Sequence, residues 1–168
     1  MQWIGRHKMC KQKGFSLIEL LIVVAIILII AAIAIPNLLR ARIAANEASA
    51  VASIRTLNTA QISYNSAYPT VGFAAGLPAL SGTSCAPPTS AGACLIDTQL
   101  SSGRKSGYSF AMAVTAGTPN AGYQASAAPQ VANSTGVRYF CSFEDAVVRS
   151  GAASLAGAAC TYSVSPLQ

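Results

Sequence analysis

Between Phe15 and Ile35 the chain carries 21 residues, and Glu19 is the only strongly polar one among them. Wound as a helix, that stretch rises about 31 Å, close to the hydrocarbon thickness of a bilayer. Length and all-round apolarity make it a membrane-spanning candidate. A carboxylate at the centre of such a helix costs at least about 2.5 kcal/mol on the most forgiving insertion scale, and less near an end. A helix that serves only as an anchor gains nothing from that cost, so Glu19 is expected to be used.

Charge confirms the direction of the argument. The net charge of +6 invites a nucleic-acid reading, but four of the eleven cations (Arg6, Lys8, Lys11 and Lys13) precede Gly14 with no acid among them. Beyond Gly14, seven cations face five acids. That is the pattern of an exported chain and not of a nucleic-acid-binding face. Cations just before a first apolar helix hold that end in the cytoplasm, which puts the remainder outside; Arg40 and Arg42, past the far end, oppose this and are outnumbered. Of five cysteines, Cys10 lies before Gly14 and four remain: Cys85, Cys94, Cys141 and Cys160. Two disulfides in an oxidising compartment are expected. Zinc is the rival, yet the sequence has no Cys-x-x-Cys pair and its one histidine, His7, is in the basic segment. Three connectivities are open, and Cys85–Cys94 with Cys141–Cys160 is preferred because those pairs close local loops.

The segment Gly14-Phe15-Ser16-Leu17-Ile18-Glu19-Leu20-Leu21 resembles the signature of type IV pilins and the related pseudopilins: a basic leader, Gly, an aromatic, then an apolar run broken by one Glu. The likeness extends through Pro36 and more loosely to about Tyr64. It implies that a prepilin peptidase cuts between Gly14 and Phe15, and that the new Phe15 amine is N-methylated. It also implies assembly with copies of itself and related pilins into a helical filament, through an inner-membrane platform driven by an ATPase motor. Residues 1–14 are then a removed leader, with Met9 an alternative start. Residues 15–35 form the membrane and filament-core helix, 36–66 an amphipathic continuation, and 67–168 an exported head. Before assembly the subunit would sit once through the inner membrane, contacting lipid, and afterwards in an extracellular or periplasm-spanning pilus. Glu19 would attract the Phe15 amine of a neighbouring subunit, lowering the cost of carrying both charges into an apolar filament core.

Beyond the anchor, Pro36 removes one helical hydrogen bond, and a kink is expected there. Leu39, Ile43, Ala50, Ile54, Leu57 and Tyr64 keep helical spacing past it, interrupted by Asn46 and Gln61, so the helix is expected to run to about Asn65. Ala31, Ala32, Ala34, Ala41, Ala44, Ala45 and Ala48 would let helices approach closely. Tyr68-Pro69 ends the helix. A Gly-, Pro- and Ser-rich loop to Gly107 follows, expected to be pinned by a bridge. Tyr108–Thr115 alternates as a strand, with a weaker one around 123–127. Val137, Tyr139, Cys141 and Phe143 share a strand face, Glu144-Asp145 turns, and a short strand is expected at 146–149. The fold class that results is α+β: a long N-terminal helix whose second half is covered by a small antiparallel sheet.

Catalytic constellations are not found. The exported part has no histidine, no phosphate-binding glycine loop and no nucleophile with a partner. Asp97, Glu144 and Asp145 supply too few oxygens for calcium. No cofactor, metal or nucleic-acid partner is expected. The tyrosines and phenylalanines Tyr64, Tyr68, Phe73, Tyr108 and Tyr123 read as core and surface aromatics. Two other functions compete with a pilus subunit. One is a pseudopilin of type II secretion, which shares the N-terminus. The other is a secreted binding domain whose signal peptide is cut after Ala34; its apolar core would be at the long limit of such signals, with Glu19 at the entrance.

Overall fold

A computed structural model describes residues 14–82, 85–152 and 160–167. The basic leader expected up to Lys13, with His7, Cys10 and the alternative start Met9, lies outside the described residues. Two units are distinguished, one ending at Leu38 and one spanning Leu39–Gln168. Helix α1, Leu17–Ala67, has residues in both and continues through Pro36 without interruption of its assignment.

In the first unit every large apolar side chain from Phe15 to Leu38 is exposed, from Val24 at 46% to Phe15 at 82%. The helix is long and apolar enough to cross a membrane. In the second unit the same helix is amphipathic, and Ala50, Ile54, Leu57, Ala60 and Tyr64 are buried against the sheet. The expected stripe therefore holds from Ala50 onward. Leu39, at its upper end, is 54% exposed.

The sheet has five antiparallel strands in chain order: β1 Arg104–Lys105, β2 Tyr108–Thr115, β3 Gly122–Pro129, β4 Tyr139–Phe143 and β5 Arg149–Gly151. Strand β2 follows from its alternation: Tyr108 and Phe110 are buried toward α1, while Ala111, Ala113 and Thr115 face solvent. The hairpin from β1 to β2 turns on Ser106 and Gly107, with φ +48° and +73°, the left-handed pair that a two-residue turn of matching twist requires. A Cβ on Gly107 would meet the Thr135 side chain at 2.9 Å, so the position has no space for one either.

On strand β4 Tyr139, Cys141 and Phe143 share one face, as expected, and the opposite face turns toward α1: Phe140 is fully buried in the main core and Ser142 bonds the helix. Cys141 lies on the other face with Cys160, Tyr139, Phe143 and Val164. Val137 stands outside the strand and is exposed. The last strand starts at Arg149, later than expected, after the Glu144-Asp145 turn. The described part of the loop between α1 and the sheet holds two short helices, α2 Leu77–Leu80 and α3 Thr98–Ser101. Asp97 caps α3, accepting from the Leu100 N–H at 2.6 Å.

Candidate functional site

The N-terminal segment offers one polar feature, and its local geometry follows from four residues. Ser16 precedes the first helical residue and Glu19 stands three positions on, the S-x-x-E spacing of a capping box. The Ser16 N–H donates to Glu19 Oε2 at 3.0 Å, and the Leu20 N–H closes the first turn on the Ser16 carbonyl at 3.3 Å. Glu19 also sits where the helix dipole favours a negative charge. A carboxylate here thus has a local structural use, contrary to the expectation that an anchor gains nothing from it. The S-x-x-E spacing was the sequence signal that could have found it.

Gly14 and Phe15 lie before the helix in exposed, irregular backbone. A Cβ on Gly14 would meet nothing within 4 Å, so access to this peptide bond is open from that side. Pro36 lies within α1. Gly14 and Phe15 thus lie just before α1 and Glu19 in its first turn, while Pro36 is several turns along.

In the second unit, polar residues of α1 fasten the head to the helix. Gln61, fully buried, donates through Nε2 to the Ala74 carbonyl at 3.0 Å and accepts the Ala74 N–H through Oε1 at 2.8 Å. Asn58 donates to Ser142 Oγ at 2.9 Å and to the Ala146 carbonyl at 3.2 Å, and accepts from the Tyr123 hydroxyl at 3.0 Å. Asn46 donates to the Thr135 carbonyl at 2.9 Å. Asn46 and Gln61, which look like breaks in the apolar stripe, are therefore its fastenings.

Glu47 completes the set. Its Oε1 accepts the Val137 and Arg138 N–H groups, each at 3.0 Å, and its Oε2 meets Arg138 Nε at 2.8 Å. Burial pushes this carboxyl up; the bonds from Val137 and Arg138 together outweigh burial and hold it below its ordinary value. Sequence periodicity alone could not separate Glu47 from a solvated charge.

The two disulfides join Cys85 to Cys94 and Cys141 to Cys160, with Cα separations of 5.8 and 6.3 Å. The acids weighed for calcium are engaged elsewhere. Asp97 caps α3 and pairs with Lys105, Asp145 pairs with Arg149 at 2.6 Å, and Glu144 accepts from the Tyr162 hydroxyl. Among the described residues no three His, Cys, Asp or Glu side chains gather as a metal site would need. Tyr64, Tyr108 and Tyr123 are core residues, each no more than 1% exposed. Burial pushes the Tyr108 hydroxyl up to about 12 and also raises the Tyr123 hydroxyl.

Known proteins match part of the chain. The profile of the prokaryotic N-terminal methylation motif matches residues 9–35. The type IV major pilin protein PilA of Myxococcus xanthus is 48% identical over 54 residues, which are 32% of this chain and 24% of that one. The type IV wide pilus major component PilA4 of Thermus thermophilus is 71% identical over 35 residues, 21% of this chain and 27% of that one. The type II secretion system core protein G of Vibrio cholerae is 44% identical over 66 residues, 38% and 45% of the two chains. The chain thus matches less than half the length of each of these relatives. No solved structure matches it significantly. In its methylation motif, in these relatives and in a long helix followed by an antiparallel sheet, the chain is similar to type IV pilins and pseudopilins.

Proposed function

We propose that this chain is a structural subunit of a type IV pilus. Residues 1–14 are its leader, removed by a prepilin peptidase at Gly14, and the new Phe15 amine is methylated. The single observation that carries the reading is the N-terminal half of α1: large apolar side chains exposed from Leu17 to Leu38, with one carboxylate about a turn from the cleavage site. Such a surface is stable only in lipid or among other helices. The helix therefore anchors the subunit in the inner membrane, N-terminus cytoplasmic, and then passes into the apolar core of a filament. An external ATPase motor supplies the work, since the sequence offers no nucleotide site. Adhesion, motility and DNA uptake are the uses open to such a filament.

Within this reading Glu19 has two successive partners. Its carboxylate holds the Ser16 N–H of its own chain in the free subunit. On docking it turns to the methylated Phe15 amine of a neighbour, and the fixed offset of that pairing sets the helical step. Pro36 supplies a point of local loosening at the end of the apolar segment. A Glu19→Ala subunit is expected to be processed and membrane-bound, with filament yield at least tenfold down. Filaments at the wild-type level would refute the pairing.

A second reading is favoured by the Vibrio cholerae core protein G, 45% of which is covered by the match. On that reading the subunit builds a short fibre for type II secretion. Electron microscopy of native cells separates the two: the pilus reading predicts surface filaments containing this chain, and the alternative predicts a periplasmic fibre without them. The secreted-domain alternative predicts a mature chain that starts at Ile35.

A further inference from the structure

The sheet has an open edge inside the head. Strand β1 covers only the first part of β2, pairing Arg104 with Ser109 and Lys105 with Tyr108, and the Phe110 N–H donates to the Gly103 carbonyl at 2.8 Å. From there the outward-facing backbone positions of β2 alternate to Met112 and Val114, because Ala111, Ala113 and Thr115 bond inward to Ser126, Gln124 and Gly122 of β3. Among the described residues, no partner is found for the outward N–H and C=O groups of Met112 and Val114. Open edges are ordinarily guarded by Lys, Pro or a bulge. This one has none: Ala111-Met112-Ala113-Val114-Thr115 is uncharged, and so is the entire run from Ser106 to Val137.

What fits four unpaired main-chain groups on a charge-free edge is another extended backbone. We propose that the occupant is the same edge of a second copy of this chain, in antiparallel register centred on Ala113. The register follows from the geometry. With Met112 and Val114 facing outward on both copies, Met112 of each pairs with Val114 of the other, and four N–H···O bonds use the N–H and C=O groups of both residues. The two Ala113 residues then meet on the two-fold axis as a non-hydrogen-bonded pair, about 4.5 Å apart at Cα. Ala113 puts no bulk on that axis. Ala116 and Gly117, small again, lie where each strand would meet the end of its partner's β1. The absence of charge removes like-charge repulsion across the axis. Four bonds make a weak contact between two molecules, but one repeated along two filaments accumulates. The contact is separate from helix-mediated assembly and would join filaments side by side.

The test is cross-linking of the full chain, purified in detergent and as filaments. Ala113→Cys places two thiols within disulfide range on the axis. Under air oxidation it should give disulfide-linked dimer as the major species, with oxygen taking up the two hydrogens. The unsubstituted chain and Val131→Cys, an exposed site on the β3–β4 connection, report background and should stay monomeric on a non-reducing gel. Adding Val114→Pro removes one outward N–H and no bond to β3, and should abolish the dimer. Thr115→Lys, at a solvent-facing position, should do the same by charge. Equal cross-linking of Ala113→Cys and Val131→Cys, or a dimer unaffected by both added substitutions, overturns the proposal. A chain processed at Phe15 that yields no Ala113 cross-link removes the edge contact and leaves the pilin reading standing. A cross-linked chain that begins at Ile35 does the reverse.

Discussion

Gln61 joins the helix to the loop that follows it, and its replacement should show how much a single side chain contributes to the head. Gln61 is fully buried and serves Ala74, itself fully buried, in both directions at 2.8 and 3.0 Å. Gln61→Met keeps most of the volume and leaves the Ala74 N–H and C=O without partners. Each orphaned buried group costs about 1–3 kcal/mol, so the variant should lose about 2–6 kcal/mol. At about 4 °C per kcal/mol for a unit of this size, Tm should fall by about 8–24 °C. Gln61→Ala adds a cavity and should be worse by a further ~1–2 kcal/mol. Gln61→Glu adds a sign that packing alone would not produce. Its carboxylate can accept the Ala74 N–H but opposes the Ala74 carbonyl, so burial and that opposition raise its folded-state pKa. A raised acid is most favourable below its unfolded value near 4.3, and the advantage is lost as pH rises above it. The variant should therefore be closest to wild type at about pH 4 and furthest from it at pH 7. The assay is thermal unfolding of the full chain in detergent, followed by near-ultraviolet circular dichroism across that pH range. A Gln61→Met loss of under ~0.5 kcal/mol, the level of an ordinary surface substitution, would refute the reasoning.

Two further predictions concern the same unit. The Glu47 carboxyl is held below its ordinary value, so the stability it contributes is present above about pH 4.5 and lost as pH falls through the folded-state value; Glu47→Gln should remove that acid limb and cost about 1–2 kcal/mol at pH 7, read from denaturant titrations at pH 3 to 7. The paired substitution of Cys141→Ala and Cys160→Ala opens a loop of about twenty residues and should cost about 3 kcal/mol by chain entropy, read as a lower denaturation midpoint that added reductant no longer shifts further at this bond.

The parts of the fold that were legible are those decided by local pattern. The apolar run and the stripe from Ala50 to Tyr64 mark α1, and alternation marks β2 from Tyr108 to Thr115. Loop closure favours the two disulfide pairs seen in the structure. What stayed hidden depends on tertiary partners. The four-residue helices α2 and α3 and the two-residue strand β1 are too short for any periodicity to register. In β4 both faces are apolar, because Phe140 packs toward α1 while Cys141 and Phe143 face a second cluster under the Cys160 segment, so alternation could not say which face the helix takes. Asn46 and Gln61 read as polar interruptions until the backbone groups they serve, contributed by residues more than ten positions away, are in place. The role of Glu19 was visible only in half. Its oddity in an apolar run is plain from sequence, but the bond to the Ser16 N–H shows that oddity alone does not establish an assembly function.

On the pilus reading the mature subunit begins at Phe15, at the head of the apolar helix. The most direct test is mass spectrometry of the N-terminal peptide of the chain purified from its native membranes or shed filaments. A mature chain starting with methylated Phe15 is the predicted result. A chain starting at Ile35 would contradict it, remove Glu19 from the mature protein, and leave a secreted head with no helix to assemble through.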